Sequence, residues 1–433
     1  MTRVLVFSTL YPNAAQPNHG IFVENRLRET LALGGVEATV VAPVPWFPSR
    51  HPAFGRYARF AAAPRCETRH GIDVRHPRYP VIPRIGAALA PGALFRAGLA
   101  EARRLLAEGR RFDVIDAHYF YPDGVAAARL GQVLKLPVVI TARGSDLTQI
   151  AEEPGPRAHM QWAAGEASAM IGVCEDLRRR VVDHLGAPLE RTLTLRNGVD
   201  LALFAPVARD EALSAFGTPG FILLSVGSLI PRKDHALTLT ALADLPDCRL
   251  LIAGDGPLRG ELEGLARRLG VIDRVRFLGE VGHAVLPSLY TAADAMVLAS
   301  SREGWANVLL EAMACGTPVV ASDVNGTAEV VRAPAAGRLM RERTPSGLVT
   351  ALAELRRELP SREQTRRYAE QFGWRQVGRA NRALLRAVGA AGYENRHAPG
   401  LLAKPRAWVE EGRGTSVQAV RSKPQPSVAQ NQV

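Results

Sequence analysis

Short apolar runs alternate with segments of helical periodicity along most of this 433-residue chain. In the first half the strand-like runs are Val4–Ser8, Ala38–Ala42, Val114–Ala117, Val138–Thr141, Ala169–Val173 and Thr192–Leu195. After a polar stretch that ends near Gly217, a second set follows at Phe221–Val226, Arg249–Ala253, Val275–Leu278, Ala295–Leu298 and Val319–Ala321. Strands that alternate with amphipathic helices are typical of doubly wound α/β structure. The pattern therefore predicts an α/β fold of two Rossmann-like units.

The same pattern places the domain boundaries. We expect an N-terminal domain over residues 1–205, a C-terminal domain over 206–366 and a helix over 367–389. From about residue 390 to 433 the chain is rich in Gly, Pro, Gln, Ser and Arg and has no apolar periodicity, apart from a short apolar patch at Leu401, Leu402 and Trp408. Such composition predicts a mostly disordered tail.

Composition excludes several classes of protein. The chain is 47% hydrophobic but has no run of about 18 apolar residues, so we expect no membrane span. Its first residues read as a strand and not as a signal peptide, because Tyr11 and Pro12 follow in place of a small-residue cleavage site. The four cysteines have no C-x-x-C spacing, which argues against a zinc site and for free thiols in a reducing compartment.

The net charge of +12 is unevenly distributed. Residues 50–111 hold thirteen arginines against four acidic residues, a net charge of +9. Such a segment would suit nucleic acid, anionic lipid headgroups or a phosphorylated substrate. Because the chain has no recognisable nucleic-acid-binding motif, we expect no nucleic-acid partner and favour an anionic membrane surface through residues 50–111. A basic face that is merely solvated is the alternative.

The segment Glu303–Ser322, E-G-W-A-N-V-L-L-E-A-M-A-C-G-T-P-V-V-A-S, carries the most chemical information. Glu303 and Gly304 stand where a helix begins, and the free amides of a helix N-terminus bind phosphate. Glu311 lies eight residues after Glu303 among core residues, where a carboxylate needs hydrogen-bond partners such as sugar hydroxyls. The alternative is a half-buried helix whose two acids face solvent.

A second candidate site follows the first strand of the C-terminal unit, in V-G-S-L-I-P-R-K-D. Here Arg232 can hold phosphate with two hydrogen bonds, and Lys233, one of only four lysines, adds a point charge. Next along the chain, the glycines of I-A-G-D-G-P-L, beginning with Gly254, permit close approach of the backbone to a ligand. The alternatives are an ordinary basic turn and an ordinary glycine turn.

In the N-terminal unit the candidates are Gly20, in P-N-H-G-I-F, and His118, which follows a strand in D-A-H-Y-F-Y-P-D-G. For His118 the alternative is a hydrogen-bonded histidine at the edge of the core. Two further segments, T-A-R-G-S-D-L around Arg143 and N-G-V-D from Asn197, follow later strands. We expect the second of these to be structural.

Over residues 3–388 these motifs resemble the signatures of the retaining family 4 glycosyltransferases. The resemblance implies the GT-B arrangement, in which two Rossmann-like domains face a cleft and the terminal helix, here 367–389, crosses back to the N-terminal, acceptor-binding domain. It implies that Glu311 binds ribose and that a further set of residues binds the donor, most of them at its phosphates, namely Gly20, Arg232, Lys233, Gly254, Gly304, Ala306, Asn307 and Val308. Where the family more often has His, this chain has Arg143, which suggests an anionic acceptor.

The resemblance also implies the catalytic residues, Glu303 and His118. Glu303 would orient the sugar and stabilise its oxocarbenium-like character, while the departing phosphate accepts the acceptor's proton. Arg232 and Lys233 would replace a divalent cation, so we expect no metal ion and no cofactor beyond the nucleoside-diphosphate sugar, which is a co-substrate.

The expected function is transfer of a hexose from a nucleoside-diphosphate sugar to a glycan or lipid-linked acceptor, with retention of anomeric configuration. We expect a cytoplasmic enzyme, peripheral on the inner face of the membrane, in polysaccharide or glycolipid synthesis. The alternatives are a non-catalytic polysaccharide- or lipid-binding protein on the same fold, a sugar phosphorylase and a nucleotide-sugar epimerase.

Overall fold

The computed structural model of the protein describes residues 1–81, 86–216, 220–403 and residue 405. Ten strands lie in the N-terminal part: β1 (Thr2–Phe7), β2 (Val36–Val41), β3 (Val44–Pro45), β4 (Cys66–Arg69), β5 (Ile72–Arg75), β6 (Arg78–Tyr79), β7 (Val114–His118), β8 (Val138–Ala142), β9 (Ala169–Gly172) and β10 (Thr192–Thr194). The helices between them are α1 (Ile21–Ala32), α2 (Arg56–Ala62), α3 (Gly86–Ala107), α4 (Val125–Leu134), α5 (Ser145–Thr148), α6 (Pro154–Glu166) and α7 (Glu175–Leu185).

The C-terminal part contains six strands: β11 (Phe221–Val226), β12 (Cys248–Ala253), β13 (Val275–Gly279), β14 (Ala295–Leu298), β15 (Val319–Ser322) and β16 (Gly337–Met340). Its helices are α8 (Arg209–Phe216), α9 (His235–Ala243), α10 (Arg259–Arg268), α11 (Leu286–Ala292), α12 (Asn307–Ala314), α13 (Thr327–Val330), α14 (Pro345–Arg357), α15 (Arg362–Ala369) and α16 (Trp374–Ala391).

Each part is built on one doubly wound sheet. The N-terminal sheet has the order β10-β9-β8-β7-β1-β2-β5-β4, parallel except for β4, and the C-terminal sheet has the order β13-β12-β11-β14-β15-β16, all parallel. Their central strands are apolar and buried on both faces, because helices cover both sides of a parallel sheet. The predicted α/β fold with two Rossmann-like units is confirmed.

The strand order of each sheet reverses at one place. In the N-terminal sheet this is between β1 and β7, and in the C-terminal sheet it is between β11 and β14. Ligands of open α/β sheets bind at the carboxyl ends of the strands that flank such a reversal. The loops after these four strands therefore define where the site should be sought.

The last helix belongs spatially to the N-terminal domain. Helix α16 packs on α1, and its buried side chains, among them Leu384 and Leu385, join the apolar cluster that contains Val4 and Val40. The chain beyond it was expected to be disordered from residue 390. In the structure the helix extends to Ala391, and Leu402 is buried in the same cluster. Residues 404 and 406–433, including Trp408, lie outside the described residues.

Within the part of the chain that the structure describes, no helix is both long enough and apolar enough to cross a membrane.

Candidate active site

A carboxylate and two cations meet at the strand reversal of the C-terminal sheet. The turn after β11 carries Arg232 and Lys233, and the loop after β14 carries Glu303. Lys233 Nζ lies 2.6 Å from Glu303 Oε1, and an Arg232 guanidinium nitrogen lies 3.3 Å from Oε2. The Glu303 side chain is only 8% exposed. The structure therefore brings these three predicted residues together, and it adds a direct ion pair that their separation of 70 residues could not indicate.

Glu303 is held as a carboxylate. Burial by itself would raise its pKa, but the charges of Lys233 and Arg232 outweigh burial and hold the pKa below its ordinary value. The Glu303 amide donates to Asn325 Oδ1 at 3.2 Å, which fixes the backbone of the loop. The loop thus presents an ionised, oriented carboxylate at the sheet edge.

Glu311 has a different environment. It lies half-buried on α12, and Tyr290 donates a hydrogen bond to its Oε2 at 2.9 Å. Burial raises the pKa of Glu311 to about 7, although the Tyr290 hydrogen bond opposes the shift. The two carboxylates therefore differ: Glu303 is ionised at neutral pH, and Glu311 titrates near it.

Glu311 lines a cavity of about 570 Å³ between the two domains. Its walls include predicted donor-binding residues and others, namely Asn18, Ile21, Arg59, Gly227, Ser228, Gly254, Asp255, Gly256, Glu280, His283, Asn307, Val308 and Glu311. Glu303, Arg232 and Lys233 are not among the lining residues. They adjoin the cavity through Gly227, because a Cβ placed on that glycine would lie 3.3 Å from the Lys233 side chain.

Two of the predicted glycines are required by close backbone approach. A Cβ on Gly254, whose φ is +144°, would lie 2.0 Å from the Gly227 carbonyl oxygen. A Cβ on Gly20, whose φ is +69°, would lie 2.4 Å from the Leu10 backbone. Both glycines thus have a steric reason to be present that does not depend on a ligand. Gly20 precedes α1 and does not line the cavity.

Gly304 lies where the domains touch. A Cβ on Gly304 would lie 2.0 Å from the carbonyl oxygen of Arg143, and one on Gly144 would lie 3.0 Å from Gly304. Ala306 is the N-terminal cap of α12, and the Asn307 amide is already bonded to the Trp305 carbonyl at 3.1 Å. Of the amides expected to bind phosphate, that of Asn307 is therefore occupied in this structure.

His118 does not line the cleft cavities that the structure describes. It is 2% exposed at the end of β7, where Arg143 donates to its Nδ1 at 2.8 Å and Asp116 lies 3.5 Å from its Nε2. Burial lowers the pKa of His118 to about 4, so the imidazole is neutral. Arg143 also donates to Asn197 within the N-terminal domain, while its Nε has no hydrogen-bond partner among the described residues. The expectation that Arg143 selects an anionic acceptor stays a prediction.

Several residues of the site escaped sequence reasoning. Tyr290 and Asn325, which hold the two glutamates, lie in segments without a motif. Among the described residues, no group of three or more His, Cys, Asp or Glu side chains is placed to hold a metal ion. The expectation that the chemistry needs no metal stays a prediction.

Comparison with known proteins agrees with this geometry. The model of Glycosyltransferase Family 4 matches residues 23–203, and that of Glycosyl transferases group 1 matches residues 209–372. A D-inositol 3-phosphate glycosyltransferase of Geodermatophilus obscurus is 33% identical over 390 residues, which span 83% of this chain and 85% of that protein.

Solved structures share the fold. The sucrose-phosphate synthase of Thermosynechococcus elongatus superposes with a TM-score of 0.75 at 22% identity, over 90% of this chain and 100% of that one. The Anabaena protein Alr3699/HepE in complex with UDP does so with a TM-score of 0.68 at 21% identity, over 89% and 100%. The chain therefore belongs to the family 4 glycosyltransferases, and its two facing domains have the GT-B fold.

Proposed function

We propose that this glycosyltransferase transfers a hexose from a nucleoside-diphosphate sugar bound in the cleft. The observation that carries the proposal is the cluster of Glu303, Lys233 and Arg232 beside the cavity that Glu311 lines. Two fixed cations at a strand reversal suit a diphosphate, and an ionised carboxylate next to them suits the sugar. The UDP complex of the Anabaena protein makes uridine nucleotides the first donors to test.

The three residues of this cluster, Lys233, Arg232 and Glu303, each have a role in the proposed transfer. An ammonium group has three donors, so Lys233 can keep its bond to Glu303 and still contact phosphate. As the bond from the anomeric carbon to the phosphate oxygen breaks, Lys233 and Arg232 stabilise the charge on the leaving diphosphate. Glu303 stabilises the positive charge on the sugar. The acceptor oxygen forms the new bond on the same face, and its proton passes to the departing phosphate, which retains the anomeric configuration.

Glu311 and the start of α12 complete the donor site. Glu311 as a carboxylate accepts hydrogen bonds from the ribose hydroxyls, and Val308 and the glycines at Gly227 and Gly254 leave room for the nucleotide. The amides of Gly304 and Ala306 lie at the positive end of the helix, where phosphate binds favourably. His118 supports the site without contacting the donor, because both of its ring nitrogens face protein groups.

The acceptor we propose is a lipid-linked glycan at an anionic membrane surface. Much of the charge of residues 50–111 is neutralised locally: Arg69 by Glu24, Arg75 and Arg110 by Asp73, and Arg104 by Glu108. Leu94, an apolar residue of this segment, is buried in the core and cannot contact a membrane, and residues 82–85 lie outside the described residues. The surplus charge therefore has to be sought elsewhere in the segment.

Part of that surplus lies around α2. Among the residues that the structure describes, no carboxylate forms an ion pair with Arg50, Arg56 or Arg65. Burial lowers the pKa of the neighbouring Arg78, and repulsion from Arg65 and Arg50 lowers it further. We define the α2 patch as these three unpaired arginines with two exposed aromatic side chains, Trp46 and Phe54, which are 59% and 49% exposed.

The α2 patch suits the headgroup region of an anionic bilayer, where arginines bind phosphate and aromatic side chains insert. Phe47 packs against both Phe54 and Tyr57 with ring centroids 5.2 Å apart, so the aromatic residues form one cluster. Arg59 of α2 lines the donor cavity, which places the patch at the mouth of the cleft. Docking there would bring a lipid-linked acceptor to the donor.

Vesicle flotation tests the acceptor side. We expect binding to vesicles that contain anionic lipid, weakening with salt, and loss of binding in Trp46→Ser with Phe54→Ser. Val133→Ser, a matched change at an exposed apolar residue of α4, should bind normally. Absence of binding at low salt would favour a soluble phosphorylated acceptor, such as the relative named for D-inositol 3-phosphate would use.

Product analysis tests the transfer itself. Purified protein is incubated with UDP-, GDP- and ADP-sugars and an extract of lipid-linked glycans, with and without EDTA, and products are assigned by NMR. We expect nucleoside diphosphate and an α-linked product from an α-linked donor, unaffected by EDTA. An inverted linkage, or a requirement for added metal, would overturn the corresponding step. Formation of sugar 1-phosphate from inorganic phosphate, or of an epimerised nucleotide sugar, would instead identify a phosphorylase or an epimerase.

A further inference from the structure

A chain of largely part-buried hydrogen bonds connects the N-terminal domain to the start of α12. Arg143 donates from one guanidinium nitrogen to His118 Nδ1 at 2.8 Å and from the other to Asn197 Oδ1 at 3.0 Å. Its guanidinium carbon lies 4.9 Å from the ring centroid of Phe22. Asn197 is 5% exposed and lies in the turn after β10. Arg143 is thus fixed on three sides within the N-terminal domain.

Asn197 connects this series of hydrogen bonds to the C-terminal domain. Its Oδ1 also accepts a hydrogen bond from Arg26, at 3.1 Å, and its Nδ2 donates to Asn307 Oδ1 at 3.3 Å. Asn307 is the first residue of α12 and lines the donor cavity. One side-chain amide therefore joins the buried Arg26 and the half-buried Arg143 of the N-terminal domain to the helix that begins the donor site.

The chemistry of the partners fixes the orientation of every group in this chain. A guanidinium group only donates, so the atom of Asn197 that faces Arg26 and Arg143 must be its oxygen. The nitrogen of Asn197 then donates a hydrogen bond to Asn307, so the accepting atom of Asn307 must be its side-chain oxygen. The remaining end of the Asn307 amide is its Nδ2, and no residue that the structure describes accepts a hydrogen bond from it.

We propose that Asn197 and Arg143 are positioning residues, which orient Asn307 so that its Nδ2 donates a hydrogen bond to an oxygen of the bound donor. This inference rests on the proposed function and deepens it. Without the two residues, the Asn307 amide could turn end for end and offer an oxygen, which would repel the phosphate or hydroxyl oxygens of a nucleotide sugar. Arg143 acts through Asn197, and Asn197 acts through Asn307.

The substitution Asn197→Asp should reverse the orientation of the Asn307 amide, with little change in the shape of the side chain at position 197. The new carboxylate still accepts from Arg26 and Arg143, but it has no hydrogen to donate to Asn307 Oδ1. The Asn307 amide therefore turns to donate its Nδ2 to Asp, and its oxygen faces the cleft. We expect kcat/KM for the donor to fall by roughly tenfold or more, with Tm close to the wild-type value.

A double-mutant cycle separates positioning from a general structural effect. If Asn197 acts through Asn307, then Asn197→Asp should change kcat/KM less than about twofold in an Asn307→Ala background. Arg143→Lys is the second variant, because one ammonium group cannot bridge His118 and Asn197 as the guanidinium does. Asn381→Asp, at a buried asparagine in the N-terminal domain that bonds Thr30, serves as the matched control and should leave kcat/KM unchanged.

The wild-type enzyme in the same assay distinguishes the two proposals. If it uses no nucleotide sugar, the proposed function itself fails. If it does, wild-type kcat/KM in both Asn197→Asp and Arg143→Lys overturns the positioning role. Effects of Asn197→Asp and Asn307→Ala that multiply in full would overturn it as well, because Asn197 would then act by another route.

Discussion

At the scale of single residues, the ion pair between Lys233 and Glu303 decides how the site can be tested. Each is buried enough to depend on the other: Glu303 is 8% exposed and Lys233 14%. Removing Lys233 leaves the buried Glu303 carboxylate with only the longer contact to Arg232, and a buried charge that loses its partner typically costs about 3 kcal/mol or more when no second cation remains. A loss of activity in a single variant would therefore combine a chemical effect with a structural one.

Comparing Lys233→Ala with the double variant Lys233→Ala, Glu303→Gln resolves the two effects. We expect the single variant to lower the free energy of unfolding by about 2–3 kcal/mol, because Arg232 alone compensates the Glu303 charge only in part. The double variant should recover most of this loss, because it has no buried carboxylate at position 303. Turnover should be lost in both, since each lacks the phosphate contact. Denaturant titration and nucleotide release measure the two quantities. A double variant that regains turnover would show that Lys233 serves only to neutralise Glu303.

Glu311 should make donor binding depend on pH. Burial raises its pKa to about 7, so the fraction of carboxylate, the form that accepts ribose hydroxyls, increases as pH rises through this value. We expect the affinity for a nucleotide sugar to increase between about pH 6 and pH 8 and to level off above. His118, with a pKa of about 4, stays neutral over this range.

Calorimetric titration measures this dependence, and a nucleotide sugar is preferred to the free nucleotide because its diphosphate does not titrate in the range. Glu311→Gln should bind more weakly and without the pH dependence. An affinity that falls as pH rises would contradict the assigned role of the carboxylate.

At the scale of elements, helix α12 and the loop before it form the contact between the domains. The backbone of Gly304 passes so close to Arg143 that no side chain fits. Gly304→Ala should therefore hold the domains apart, and we expect a loss in kcat/KM of at least tenfold with little change in Tm. Gly260→Ala, in the exposed helix α10 with open space around it, is the matched control. Wild-type kinetics in Gly304→Ala would mean that the contact is not needed for turnover.

The strands and helices also show which secondary structure could be predicted from the sequence. Apolar runs such as the V-L-V-F of β1 and the A-M-V-L of β14 predicted central strands, because strands buried on both faces contain few polar residues. Strand β4 at the sheet edge is mostly polar, and β4, β5 and β16 contain only four residues each, so their signals were too weak. Boundaries that depend on packing, such as the end of α16, could not be predicted either.

For the site, the sequence predicted which residues matter better than it predicted their partners. Glu303 and Glu311 were found because their motif is local, and so were Arg232 and Lys233. The bond from Arg143 to Asn197 joins residues 54 positions apart, and that from Asn197 to Asn307 joins residues 110 apart. Such contacts depend on how two sheets are placed, which local patterns do not encode. His118 is buried and hydrogen-bonded at the edge of the core, as the alternative interpretation of the sequence had it, but its contact with Arg143 could not be predicted from local pattern.

At the scale of the whole molecule, polar contacts hold the two domains together beyond the cleft. Glu329 accepts a hydrogen bond from the Glu175 amide at 2.6 Å and from Arg196 at 2.9 Å, and Asn325 donates to Asp176 at 3.0 Å. Since Asn325 also holds the Glu303 loop, the domain contact and this loop share one side chain. Placement of Glu303 therefore depends on the domains being in contact.

The last described residues also contribute to the stability of the whole molecule. Leu402 is 2% exposed against the cluster that includes α16, and Arg396 lies 3.6 Å from Glu166. Deleting residues 406–433 should leave stability and turnover unchanged. Deleting residues 395–433 should lower the free energy of unfolding by about 2 kcal/mol or more, because a buried leucine is lost. Equal stability of the two truncated proteins, measured by denaturant titration, would show that Leu402 contributes nothing.

The most direct test of the account is calorimetric titration of the wild-type protein with UDP-, GDP- and ADP-sugars, repeated with Glu311→Gln. The central claim is that the cleft between the two sheets binds a nucleoside-diphosphate sugar through Glu311 and the cations beside Glu303. We expect saturable binding of at least one of these donors, and an affinity about tenfold or more lower in the variant. No binding to the wild-type protein at millimolar concentration, or equal affinity in the two proteins, would contradict the claim.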